Sequence, residues 1–192
     1  MDDAVAAAYA VVCDPDRVAK IDPPLSDDEK QEIAKVVGHG AIKYADLAHN
    51  RTSDYKFSLQ KMVALDGNTS AYVQYSFART QSILSRADVD EAEVVRANRP
   101  IEVKDPAERT LVLLLLKFPE AIDQSLEDYR PNVVVDYLYD VAKAYSSFHE
   151  QCPVLKAADT SARDSRLAIV AATGRVLRKG LQLLGIDVVQ RM

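Results

Sequence analysis

Toward the C-terminal end of the sequence, Leu167, Val170, Gly174, Leu177, Leu181 and Leu184 recur every three or four residues. At 3.6 residues per turn that spacing draws a single apolar stripe along a helix from Ser161 to about Leu184, closed by Gly185. A helix with such a stripe must bury it against other elements, and nothing else in the sequence reads as a strand, so the chain is committed to packing helix on helix. Gly174 lies within the stripe, where it costs about 1 kcal/mol relative to Ala. Its position there predicts a close crossing of two helices.

The remaining segments agree with an all-α fold. Only 6 Gly and 8 Pro punctuate 192 residues, which favours long helices over many short strands. Ser26 reads as an N-cap with Glu29 completing a capping box, opening a helix that the sequence closes at Gly38. A second short helix then runs from Gly40 to Asn50, and another over "SLQKMVAL" stops at the Asp66-Gly67-Asn68 loop. Asp105 caps a helix with Pro106 at its first position, running to Phe118, and Asn132 to about Gln151 is long and amphipathic. Residues 86–104 are acidic and irregular and read as an exposed connection with at most a short helix. The expected architecture is an α-helical bundle preceded by a smaller helical segment.

Several function classes drop out. The apolar run "TLVLLLLKF" ends at Lys117 and Pro119, well short of the roughly 18 residues a membrane span needs. The two cysteines, Cys13 and Cys152, make no disulfide framework and are expected to be reduced, as in a cytoplasmic protein. His149 and Cys152 are three residues apart in "HEQC", but no second Cys/His pair completes a zinc site. No nucleophile elbow, paired catalytic carboxylates or phosphate loop stands out. No catalytic residue and no metal ligand is assigned.

The net charge of −5 hides segregation. Residues 35–86 carry seven bases against three acids, as do residues 155–192, whereas 1–34 and 87–154 are acidic. Local potential governs polyanion affinity more than net charge does. Within the first basic stretch, "LDGNTSAYVQYSFAR" places a Gly-Asn loop before a helix over residues 70–86. At 100° per residue Val73, Phe77 and Leu84 share the core-facing side. Tyr72, Tyr75, Arg79, Ser82 and Arg86 gather opposite, as two rings and two guanidiniums. Tyrosines stack on unpaired bases and arginines contact phosphate or base planes, so this side is a candidate platform for a nucleic acid. The alternative on the residues alone is that both tyrosines pack against a neighbouring helix.

Residues 40–83, "GAIKYADLAHNRTSDYKFSLQKMVALDGNTSAYVQYSFARTQSI", closely resemble the stretch of arginyl-tRNA synthetases that joins the end of the catalytic domain to the anticodon-binding domain. Residues 165–192 resemble the end of those enzymes, closing on Arg-Met. Residues 127–154 are similar to the family's Asp-Ala-Leu-Arg region and keep the Arg of that signature at Arg130. The resemblance implies that residues 1–68 are the end of a catalytic domain with its stem-contact helices, and 69–192 an anticodon-binding bundle. It implies recognition of arginine tRNA as part of an ATP-dependent ligase, with ATP and magnesium used by the parent enzyme and no cofactor held by this chain. Neither the His-Ile-Gly-His nor the Lys-Met-Ser-Lys-Ser type motif is in the sequence, so the chain looks like a C-terminal portion, inactive alone. The implied partners are the tRNA and the missing N-terminal catalytic domain, with no membrane and a monomeric state. The implied tRNA-contacting residues are Asp66, Gly67, Asn68, Tyr72, Tyr75, Arg79, Arg86, His149 and Met192. On the bundle's other wall this sequence has His149 and Pro153 where relatives can place aromatic side chains. The alternative is a standalone helical interaction domain descended from such an enzyme.

Overall fold

The computed structural model describes residues 1–19, 21, 23–50 and 52–192, and every regular element among them is a helix. In chain order these are α1 (Asp2–Val12), α2 (Pro15–Val18), α3 (Asp27–Leu47), α4 (Leu59–Met62), α5 (Ser70–Arg86), α6 (Glu91–Ala97), α7 (Pro106–Leu116), α8 (Phe118–Glu127), α9 (Pro131–Gln151) and α10 (Thr160–Leu183).

The capping box at Ser26 forms as the sequence predicts, with Glu29 N–H donating to Ser26 Oγ at 3.2 Å and Ser26 N–H to Glu29 Oε2 at 2.8 Å. The predicted stop at Gly38 does not occur: α3 continues through Gly38 and Gly40 to Leu47. The reason is the neighbour. A β-carbon on Gly38 would come within 2.8 Å of the Ala4 carbonyl, so the glycine lets α1 and α3 approach backbone to backbone. In a sequence, a glycine that ends a helix and one that admits another helix look alike.

The helix after Asp105 also departs from expectation. It ends at Leu116, and Pro119 sits in the first turn of a new helix, α8, that sequence reading did not anticipate. Proline is tolerated there because the first-turn N–H groups have no intrahelical partner to lose. The acidic connection holds one short helix, α6, started by an Asp90–Glu93 capping box and ended by Asn98 in the left-handed conformation.

Two apolar cores result. The smaller joins α1, α3 and α4 through Ala8, Val12, Ile33, Val37, Ala41, Met62 and Val63. The larger joins α5, α7, α8, α9 and α10, with Phe77, Leu111, Leu138, Tyr145, Phe148, Ile169, Leu177 and Leu181 all essentially inaccessible. The close crossing predicted at Gly174 is present. A β-carbon there would lie 2.7 Å from Thr80 Oγ1, so α10 and α5 touch at the glycine. Near the other end of α10, Glu108 accepts from Arg166 Nε at 2.7 Å and from the N–H groups of Lys104 and Asp105, tying the start of α7 to α10.

The last residues are strapped across both cores. Lys43 Nζ donates to the Gly185 carbonyl at 2.5 Å and the buried Gln74 side chain donates to the Asp187 carbonyl at 2.7 Å. Arg191 reaches Glu29 at 3.3 Å and the Pro23 carbonyl. These bonds fix where the chain ends relative to α5.

Candidate nucleic-acid interface

Helix α5 begins at Thr69, whose hydroxyl accepts from Tyr72 N–H at 3.1 Å and donates to the Ala64 carbonyl at 2.6 Å. That cap orients the first turn, so Val73, Phe77 and Leu84 enter the core at 0, 0 and 3% exposure. Tyr72, Tyr75 and Arg79 line the opposite side at successive turns and are half-buried, while Ser82 and Arg86 are exposed.

The rings are less bare than the helical spacing alone predicts. Tyr72 packs partly onto the larger core and meets Tyr139 of α9 edge-on at 5.8 Å. Arg79 lies over the Tyr75 ring at 4.7 Å, donates to Tyr75 Oη at 3.0 Å and reaches Ser146 Oγ of α9 at 3.3 Å. A guanidinium resting on a ring in this way is worth about 0.5–1 kcal/mol at an exposed site. It holds both groups in one geometry before any ligand arrives. Behind them Tyr145 is fully buried, and its hydroxyl has no hydrogen-bond partner. Burial pushes that phenol upward, opposed by the Arg79 charge.

The expected loop residues divide. Asp66 and Gly67 are exposed, with Gly67 at φ +73°, a left-handed turn that glycine adopts without strain. Asn68 is exposed but tied at both ends of its amide: Tyr44 Oη of α3 donates to its Oδ1 at 2.7 Å, and its Nδ2 donates to Asp136 Oδ1 of α9 at 3.0 Å. Tyr44 is itself buried, and the Val135 carbonyl lies 3.2 Å from its hydroxyl. Asn68 is thus a rivet between α3 and α9.

His149 is exposed on α9. Partial shielding from water, with the charges of Arg79 and Arg86, holds its pKa below the ordinary histidine value. Met192 packs partly onto the smaller core and borders the same open depression, about 1520 Å³, that Tyr75, Arg79 and Arg86 line. The fold therefore brings Tyr75, Arg79, Arg86 and Met192 to one place, with His149 electrostatically beside them. Tyr72 lies one turn away against Tyr139, and the loop lies beyond the start of α5.

Tyr139, Ser146 and Lys143, which sits 5.9 Å over the Tyr139 ring, are wall residues that sequence reading missed. Their position on α9 follows from the 3.6-residue period, but their pairing with α5 spans more than sixty residues of sequence and has no local signal.

Other chemistry is thinly represented. Among the described residues no group of three or more His, Cys, Asp or Glu is arranged to hold a metal. Cys13 and Cys152 are free thiols, and burial pushes the Cys152 thiol up to about 11. No described helix is long and apolar enough to cross a membrane.

Comparison with known proteins gives this geometry a setting. Residues 73–192 match the family model described as DALR anticodon binding domain, and residues 1–59 match that of the class I tRNA synthetase (R) catalytic domain. The sequence is 55% identical to an arginine–tRNA ligase of Rhodopirellula baltica over all of this chain and 30% of the relative. It is 45% identical to that of Proteus mirabilis over 88% of this chain and 29% of the relative. The chain thus spans under a third of the length of these curated relatives. Among solved structures, the arginyl-tRNA synthetase of Thermus thermophilus superposes on the whole chain with a TM-score of 0.82 at 30% identity, covering 31% of that chain. That of Plasmodium falciparum superposes with the same score at 24% identity over 32% of its chain, a likeness of fold.

Proposed function

The chain belongs to the DALR anticodon-binding domain family, and we propose that its bundle grips the anticodon loop of an arginine tRNA. The observation that carries this reading is the outer side of α5. There Tyr75 and Arg79 are held in contact with each other, beside Arg86 and the terminal Met192. An unstacked base has a flat face to offer Tyr75, and Arg79 can serve a base edge or a phosphate without leaving its place. Tyr72 and its edge-on partner Tyr139 offer a second aromatic surface one turn away. Asn68 serves chiefly as a positioning residue, fixing the loop at Asp66 and Gly67 relative to α9.

The division proposed at residues 68 and 69, with 1–68 the end of a catalytic part and 69–192 the recognition bundle, is supported by the two family matches over 1–59 and 73–192. The two parts interlock where Tyr44 enters the larger core and Ala71 and Val189 enter the smaller. In this reading the remainder of the ligase supplies ATP- and magnesium-dependent activation of arginine in the cytoplasm. The chain alone performs no chemistry and is monomeric. The Tyr44–Asn68–Asp136 link is a direct mechanical path from the gripped loop to α3, so that holding the anticodon positions the tRNA for the catalytic part.

The test is a binding titration of the chain with arginine tRNA and with a tRNA for another amino acid. Tighter binding of the arginine tRNA is expected. Equal affinity for both, or none for either, overturns the reading. A second reading, a module that binds protein, is favoured by Leu113, Leu116 and Leu126, which stand exposed on α7 and α8. Absence of tRNA binding would turn attention to that edge.

A further inference from the structure

The two basic stretches of the sequence, 35–86 and 155–192, are separated by an acidic one, and the fold brings them back together. Helix α5 comes from the first and α10 from the second, and they cross in contact at Gly174. Beside that crossing, the depression bordered by Tyr75 is lined by six arginines, Arg79, Arg86, Arg96, Arg175, Arg178 and Arg191, against two carboxylates, Asp90 and Glu91. A chain of net charge −5 thus concentrates positive charge in one hollow.

The carboxylate side of the hollow is singular. Arg178 approaches Glu91 Oε1 at 2.7 Å, and Arg175 approaches the same oxygen at 3.9 Å. The other carboxylate oxygen, Oε2, is buried without a hydrogen-bond partner. Two guanidiniums share one oxygen of one acid, and Arg175 remains half in solvent, with 53% of its side chain exposed. A phosphodiester shares its one negative charge over two accessible non-bridging oxygens, which suits a pair of guanidiniums better than this single shared atom does. The neighbours of Tyr75 across the hollow are therefore where the backbone of a strand stacked on α5 would run.

We propose that Arg175 and Arg178 of α10, together with Arg86 of α5, form a track for the phosphodiester backbone of the RNA whose bases stack on α5, and that Glu91 of α6 occupies this track until RNA displaces it. The track rests on the anticodon-grip reading and extends it from base contacts to backbone contacts. Phosphate contacts position a nucleic acid without reading its sequence, and each one released from its counterion steepens the salt dependence of binding.

The experiment measures affinity of the chain for arginine tRNA and for a tRNA of another amino acid over a series of salt concentrations. Arg175→Gln is the main variant, because among the described residues the one ion pair it removes is the 3.9 Å contact with Glu91. It should weaken binding of both tRNAs alike, by about three- to tenfold at low salt, and flatten the slope of log affinity against log salt by about 0.7–0.9. Arg175→Lys should keep most of the slope. Glu91→Gln should tighten binding of both tRNAs, and if it disturbs folding in a thermal melt the Arg175 pair of variants still decides. An unchanged slope in Arg175→Gln, or a loss confined to arginine tRNA, overturns the track.

Tyr75→Ala separates the two ideas. If it abolishes the preference for arginine tRNA while Arg175→Gln leaves the slope intact, the grip stands and the track falls. If the chain shows no preference but Arg175→Gln still flattens the slope, the track stands and the anticodon grip falls. No binding of either tRNA overturns both.

Discussion

Helix α5 presents two sides that differ less in residue type than in what surrounds them. Inward, Val73, Phe77 and Leu84 meet the core with almost no exposure; beside them Gln74 donates to the Asp187 carbonyl and accepts from the Ser70 hydroxyl, and Thr80 donates to the Phe77 carbonyl. Outward, Tyr72, Tyr75 and Arg79 are only half covered and hold one another and α9 through a ring edge, a cation–ring contact and two side-chain hydrogen bonds. The inner side is fixed by exclusion of water, so its geometry has one solution. The outer side is fixed by weak, exchangeable contacts of about 1 kcal/mol each, which a ligand can replace with its own. The same helix is rigid on one side and receptive on the other, and its core contacts keep the receptive side in register.

The largest effect that tests this contrast is Phe77→Ala. Removing a fully buried ring should destabilise the fold by about 3–5 kcal/mol in urea unfolding, as large-to-small core changes do. tRNA affinity, measured where the variant is still folded, should change little. A variant that unfolds no more readily than the parent would show that the inner side is not what anchors α5.

The outer side makes the opposite demand. Tyr75→Ala and Tyr72→Ala should each weaken arginine-tRNA binding by about 1–3 kcal/mol, the loss of one base stack. Both should destabilise the fold less than Phe77→Ala, and Tyr72→Ala more than Tyr75→Ala because Tyr72 also packs on the larger core. Melting temperatures as low as that of Phe77→Ala for both would make these rings core, and the contrast would collapse.

That contrast was only partly legible before the structure. The inward set follows from 100° per residue, and so does the grouping of Tyr72, Tyr75 and Arg79, because helical periodicity is a local property. The half-burial of those rings is not local: it depends on Tyr139 and Ser146, which reach α5 only through the packing of α9. The same limit explains α3. Its capping box at Ser26 is written in four adjacent residues, but whether Gly38 ends the helix depends on α1, which touches it. It also explains Asn68, an expected contact whose amide is already engaged by Tyr44 and Asp136 from two other helices. Met192 came from family resemblance, and its place beside Tyr75 depends on the straps at Gly185, Asp187 and Arg191.

A smaller test probes the boundary between the two sides. Tyr145 is buried beneath Arg79, and its hydroxyl has no partner. A buried hydroxyl without a hydrogen bond is a net cost, so Tyr145→Phe should leave stability unchanged or raise it by about 1 kcal/mol. If tRNA binding draws Arg79 toward a phosphate and the hydroxyl then gains a partner, the same variant should bind tRNA more weakly while melting higher. A clear loss of stability would mean that the hydroxyl is satisfied in solution and belongs to the inner side.

The smallest expected effect concerns His149, at the rim of the outer side. Partial shielding from water and the charges of Arg79 and Arg86 on α5 hold its pKa below the ordinary value near 6.5, while Glu150 on its own helix pulls the other way. In the free protein the folded state therefore prefers the neutral ring. The stability this contributes is fully present above about pH 6.5 and is lost as pH falls through the lower folded-state value. A bound polyanion reverses the preference, because a phosphate beside the ring favours the imidazolium. Affinity for arginine tRNA should then rise as pH falls from about 7 to about 5.5 while the melting temperature drifts down. The gain should stay below about tenfold, the effect of a one-unit pKa difference. His149→Gln should flatten both curves together. If only the melting curve flattens, His149 titrates at the rim without meeting the RNA, and the receptive side ends at α5 instead of reaching onto α9.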